Sequence, residues 1–130
     1  MLGPVTTTIG RLALLVPDQD AARDFYVSAF GWRVLHDSLL EPDVRLLHVG
    51  PALAEAGLWL LAGSAGEPRP DTGHPAFVLY TDELDAVVDR LAGLGSEVVG
   101  TPVGDPGERF AHVRDPWGNR LVVAERPGEG

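Results

Sequence analysis

The chain has 130 residues, 19 acidic against 10 basic, for a formal net charge of −9, with 45% hydrophobic and 22% charged side chains. That composition is globular rather than disordered, and the length suits one domain, or two half-domains sharing a core, and excludes a multidomain machine. The negative excess repels nucleic acid and anionic lipid, so neither a nucleic-acid nor a membrane partner is expected.

Arg11-Leu-Ala-Leu-Leu-Val16 opens the reading as a short apolar run, the pattern of a buried strand. Asp18 and Asp20 then begin a helix in which Ala21, Ala22, Phe25, Tyr26 and Ala29 recur at helical spacing, and Gly31 stops it. Arg33-Val-Leu35 predicts a strand, residues 38–44 a loop, and Arg45-Leu-Leu-His-Val49 and Leu58-Trp-Leu60 two more strands. Residues 63–73 are rich in turn formers and read as a joint.

After the joint the pattern returns. His74-Pro-Ala-Phe-Val-Leu79 is a strand, Thr81 and Asp82 open a helix carrying Leu84, Val87, Val88 and Leu91, and Gly95 closes it. Glu97-Val-Val99, a loop over 100–108, Arg109-Phe-Ala-His-Val113 and Leu121-Val-Val123 complete the second copy, offset from the first by 63 or 64 residues. The chain is therefore expected to be α+β, with two tandem βαβββ modules over residues 10–62 and 74–126, joined by 63–73 within one domain spanning 1–130. Curved mixed sheets should form a cup with the helices on the convex face. Modules of about 60 residues bury little core alone, so they should pack together or pair in a homodimer.

Strand alternation sorts the side chains between two faces. Leu12, Leu14, Val16, Leu58, Leu60, Leu121 and Val123 are expected beneath the helices. Arg11, Trp59, His74, Val78, Tyr80, Val122 and Ala124 are among those expected to line the cup.

The paired βαβββ units, the run from Asp20 to Phe25-Tyr26, and Asp115-Pro-Trp-Gly-Asn119 before the last strand resemble the vicinal oxygen chelate superfamily. That group includes glyoxalase I, extradiol dioxygenases, and fosfomycin- and bleomycin-resistance proteins. The Asp-Pro-Trp-Gly-Asn segment has a sufficient structural reason as a tight turn between strands. The resemblance implies four metal-ligand points, one on the first and one on the last strand of each module, usually His or Glu. Here they fall on Arg11, Trp59, His74 and Val122, of which only His74 can coordinate an ion. No metal or other cofactor is therefore expected. His48 and His112 occupy equivalent repeat positions, which reads either as a metal pair or as shared ancestry.

His74 reads either as a locally bonded strand-edge histidine or as a general base for a ligand. Arg11 in an apolar cup calls for an anionic partner, from the protein or from a ligand carboxylate or phosphate. Trp59 offers a flat surface for stacking or packs as core. Arg11, Trp59, His74, Tyr80 and Val122 are the candidate ligand-binding residues, and His74 is the candidate catalytic one. All ten basic residues are arginine and cysteine is absent, so lysine Schiff bases, phosphate-loop lysines, disulfides and thiolate nucleophiles are excluded. No secretory signal is read at the start and no apolar run exceeds five residues, which with the missing cysteines suggests a cytoplasmic protein. The leading expectation is a metal-independent binding protein like the bleomycin-resistance branch, sequestering a drug or metabolite. The alternatives are an enzyme of the same fold, a lyase or isomerase using His74 or an unconventional metal site, and a structural or regulatory interaction module.

Overall fold

The computed structural model describes residues 3, 6–52, 56–62 and 73–127. The chain divides into two compact units, Met1–Gly63 and Ser64–Gly130. The first holds β1 (Leu12–Val16), α1 (Gln19–Phe30), β2 (Arg33–Glu41), β3 (Val44–Gly50) and β4 (Leu58–Ala62). The second holds β5 (Phe77–Thr81), α2 (Leu84–Gly93), β6 (Glu97–Val103), β7 (Phe110–Arg114) and β8 (Arg120–Glu125). Each is a four-stranded mixed sheet in the same order, β1-β4-β3-β2 and β5-β8-β7-β6, with the first and last strands parallel. The fold is two βαβββ modules of α+β class. Of the turn-rich joint, residues 63–72 lie outside the described residues. No helix among the described residues is long and apolar enough to cross a membrane.

Alternation places the core under each helix. Leu14, Val16, Leu58, Leu60, Leu121 and Val123 are all buried, whereas Leu12, at the start of an edge strand, is 41% exposed. In α1 the apolar stripe brings Tyr26, fully buried, against Phe25, Phe30 and Trp32 at ring-centroid distances of 5.0, 5.9 and 6.2 Å. The Asp18 carboxylate accepts a hydrogen bond from the Ala21 amide at 3.1 Å, and Gly31 closes the helix at φ +67°. At α2 the arrangement differs from the sequence expectation. Glu83 is the N-cap residue and its side chain makes no capping bond. The Thr81 hydroxyl accepts from the Glu83 amide, and Asp82 pairs with Arg126 at 3.2 Å.

Two arginines at matching repeat positions tie each helix to its sheet. Arg45 grips Asp37 of β2 through two hydrogen bonds of 2.9 and 2.8 Å and reaches Asp20 of α1 at 2.7 Å. Arg109 grips Asp85 of α2 at 3.2 and 3.0 Å and donates to Glu125 of β8 at 2.9 Å. Hydrogen bonds from the guanidiniums hold the Asp20, Asp37 and Asp85 carboxyls below the ordinary value and raise both arginines in turn. Gln19 adds a neutral clamp, its amide donating to the carbonyls of Arg45 and Leu60 at 3.0 and 2.9 Å.

Two expectations need correction. Residues 38–44 are not a loop: β2 continues to Glu41 and β3 begins at Val44, a tight hairpin in which Asp37 faces Leu47 and Leu39 faces Arg45. Only Pro42 and Asp43 make the turn, and the residues before them pair with β3 as strand. In the second module β6 likewise runs to Val103, into the expected loop. The repeat offset is also uneven. Leu12 faces Leu58 and Phe77 faces Leu121, so the first strands stand 65 residues apart while the last strands stand 63 apart.

Candidate functional site

The face of each sheet opposite its helix carries the candidate side chains, and the strand registers fix which of them meet. On the first module Ala13 pairs with Trp59, Trp59 with His48, and His48 with His36. The Arg11 guanidinium lies 5.6 Å from the centroid of the Trp59 ring, so Arg11 and Trp59 do come together. Arg11 is exposed rather than sunk in an apolar cup, and its guanidinium lies against the indole face. His48 is 3% exposed, donates from Nε2 to the Ala56 carbonyl at 2.7 Å, and keeps a buried Nδ1 without a hydrogen-bond partner. The carbonyl can only accept, so Nε2 carries a proton in this contact. The Trp59 Nε1–H is likewise buried and unpartnered. His36 is exposed and bonds the Ser38 hydroxyl at 2.8 Å.

On the second module the open face forms a cleft of about 400 Å³. Its walls are Val78 and Tyr80 of β5, Phe110 of β7, and Val122 and Ala124 of β8, with Glu108 at the rim. The registers explain the set: Val78 faces Val122, Tyr80 faces Ala124, and Phe110 faces Ala124 from the other side, all on the surface opposite α2. Tyr80 and Val78 are 55% and 48% exposed, well above the usual burial of such side chains in a core. Tyr80 and Val122, both expected in the site, share this cleft.

His74 does not line the cleft. With first strands 65 residues apart, the counterpart of Arg11 is Ala76, and His74 sits exposed three residues ahead of β5. Phe110 and Glu108 are site residues that the sequence reading passed over. The signal was present, because Phe110 has the strand parity of His112 and lies opposite Ala124. His112 is exposed, edge-on to Phe110 at 5.6 Å, while its repeat counterpart His48 is buried beside Gly57 in the other module.

The four ligand points that the resemblance implies fall on Arg11, Trp59, His74 and Val122. Of these only His74 can ligate a metal, and it lies exposed ahead of β5, while Arg11 beside Trp59 brings a fixed positive charge. Among the described residues no three His, Asp or Glu side chains converge. The donor set does not fit such an ion.

Tandem βαβββ modules with an open sheet face on each define a class of protein whose members differ in what that face carries. The profile of the Glyoxalase/Bleomycin resistance protein/Dioxygenase superfamily matches residues 8–123, and the chain belongs to that superfamily. It is 31% identical over 121 residues to the anthracycline biosynthesis protein DnrV of Streptomyces peucetius, covering 93% of this chain but only 42% of DnrV. The chain thus spans less than half the length of that relative. Among solved structures it is similar to TnmS3, an antibiotic binding protein from Streptomyces sp. CB03234, with 29% identity, TM-score 0.71, and coverage of 97% of this chain and 100% of the other. A superfamily member from Sphaerobacter thermophilus DSM 20745 matches with 26% identity, TM-score 0.74, and coverage of 93% and 98%.

Proposed function

We propose that the chain is a metal-independent binding protein that sequesters a small, largely apolar molecule, such as an antibiotic or related metabolite. The cleft of the second module carries this reading. Its volume of about 400 Å³ lies in the range of small-molecule sites, roughly 300–1,000 Å³. Its walls are apolar and aromatic, and the side chains are preformed on paired strands rather than on loops. Likeness to an antibiotic binding protein and to an anthracycline biosynthesis protein supports the same ligand class. The reading is metal-independent because the positions that would supply ligands offer at most one, His74, where a catalytic ion normally takes about three. We place it in the cytoplasm, where a chain without cysteine forgoes nothing, and expect a homodimer, to be read by sedimentation at micromolar concentration.

The test is binding of a planar polycyclic dye to chelator-treated protein, followed by calorimetry. Tyr80→Ala and Phe110→Ala should each weaken binding about tenfold or more, given ~1–3 kcal/mol for burying an aromatic face. Unchanged affinity in both variants would remove the cleft from the function.

A further inference from the structure

We infer that the cleft of the second module selects flat ligands carrying a positive charge, with the Glu108 carboxylate as the charge partner. The inference rests on the binding reading above and adds the ligand's electrostatic class.

Three features of the cleft point the same way. Its walls present two aromatic rings, Tyr80 and Phe110, whose π-faces attract cations as well as flat apolar surface. Of the two carboxylates on its margin, Glu125 is committed: its Oε1 accepts from both the Arg109 amide and Nε at 2.9 Å. Glu108 has no ion-pair partner among the described residues. Its amide donates to the Asp105 carbonyl at 2.8 Å, and the residue is among those that line the cleft. No arginine among the described residues lines the cleft: Arg109, the adjacent guanidinium, is turned to Asp85 and Glu125. An anionic ligand would therefore meet an unpaired carboxylate and no compensating cation. Beyond the site, a chain charge of −9 favours cations over anions at long range.

The geometry also separates two kinds of contact. Ring stacking acts on any flat ligand, whereas Glu108 acts only on charge and is open to solvent, so its share is modest and salt-sensitive. Selectivity should therefore be a matter of several-fold, not of orders of magnitude.

The experiment compares three tricyclic probes of similar size on the full chain: proflavine as cation, 9-anthracenemethanol as neutral and anthracene-9-carboxylate as anion. Proflavine should bind about five- to tenfold tighter than the neutral probe at low salt, with the anion weakest, and 0.5 M salt should erase most of the gap. Glu108→Gln should bring proflavine toward the neutral probe without changing the latter, and Glu108→Arg should reverse the order of cation and anion. Neutral and cationic probes binding equally, or an order indifferent to both Glu108 variants, would overturn the inference and leave the small-molecule reading standing. Failure of all three probes to bind would instead overturn that underlying reading.

Discussion

Replacing Asp115 by alanine should strongly destabilise the second module. The Asp115 Oδ1 accepts from the Trp117 and Asn119 amides at 3.0 and 2.8 Å, and Oδ2 accepts from the Asn119 side-chain amide at 2.8 Å. Both residues are almost fully buried, at 3% and 4% exposed. Hydrogen bonds to a charged acceptor contribute about 1.5–3 kcal/mol each, but bonds sharing one carboxylate do not add, so the net loss is about 3–4 kcal/mol. The turn they brace, with Gly118 at φ +88°, sets the register in which Val113 faces Leu121 and Ala111 faces Val123. A slip of one residue would swing Val122 and Ala124 off the open face. Urea denaturation should show the midpoint of Asp115→Ala falling by about 1.5–2 M, at a slope near 2 kcal/mol per M. The exchange D115N/N119D keeps one donor–acceptor pair across the turn and should regain part of the loss. Stability within about 0.5 kcal/mol of the parent would refute the reasoning.

Other expected outcomes concern the first module and acid. At Gly57, with φ +62°, an added Cβ would lie 2.5 Å from the Val49 carbonyl and 2.8 Å from His48 Nε2. Gly57→Ala should therefore cost about 2 kcal/mol or more in urea melts, and a neutral result would mean the segment over His48 yields freely. Leu60, fully buried between α1 and the sheet, should lose about 2–5 kcal/mol on truncation to alanine, read as a lowered melting temperature. Asp20, Asp37 and Asp85 have folded-state values below the ordinary 3.8, so their stabilisation is complete above that value and is lost as pH falls through the lower one. Melting temperature should fall below about pH 4, and modestly, because these pairs are solvent-exposed. Arg45→Met and Arg109→Met, having already lost these pairs at neutral pH, should show a shallower fall, and identical slopes would contradict the assignment.

How much the sequence disclosed follows from the physics of each signal. Period-two alternation in short apolar runs is a strong cue, and it sorted Leu14, Val16, Leu58 and Leu60 from Trp59 and Leu61 as the sheets do. Gly31 marked a helix end because only a residue tolerant of positive φ closes a helix that way. The hairpin of β2 and β3 was hidden because Pro42 and Asp43 read as loop, whereas they form only the tip, and the cross-strand pairing of residues 38–41 is not visible in a local pattern. His74 was matched to Arg11 by counting, and the two extra residues between the first strands of the modules became visible only through hydrogen-bonded register. That shift of two preserved parity, so Tyr80 and Val122 reached the cleft although their alignment partners were displaced. Glu108 lay in a stretch read as loop, where side-chain direction is not periodic and sequence gives no guide to what it faces.

The central claim is that this member binds a small molecule in the second-module cleft without a metal and without changing it. The most direct measurement is a mass balance on bound proflavine: equilibrium dialysis of chelator-treated protein, then extraction and mass spectrometry of the dye. The account predicts one dye recovered unchanged per cleft, with affinity unaltered by chelator. A chemically altered product, or binding that vanishes with chelator and returns with an added divalent ion, would contradict it.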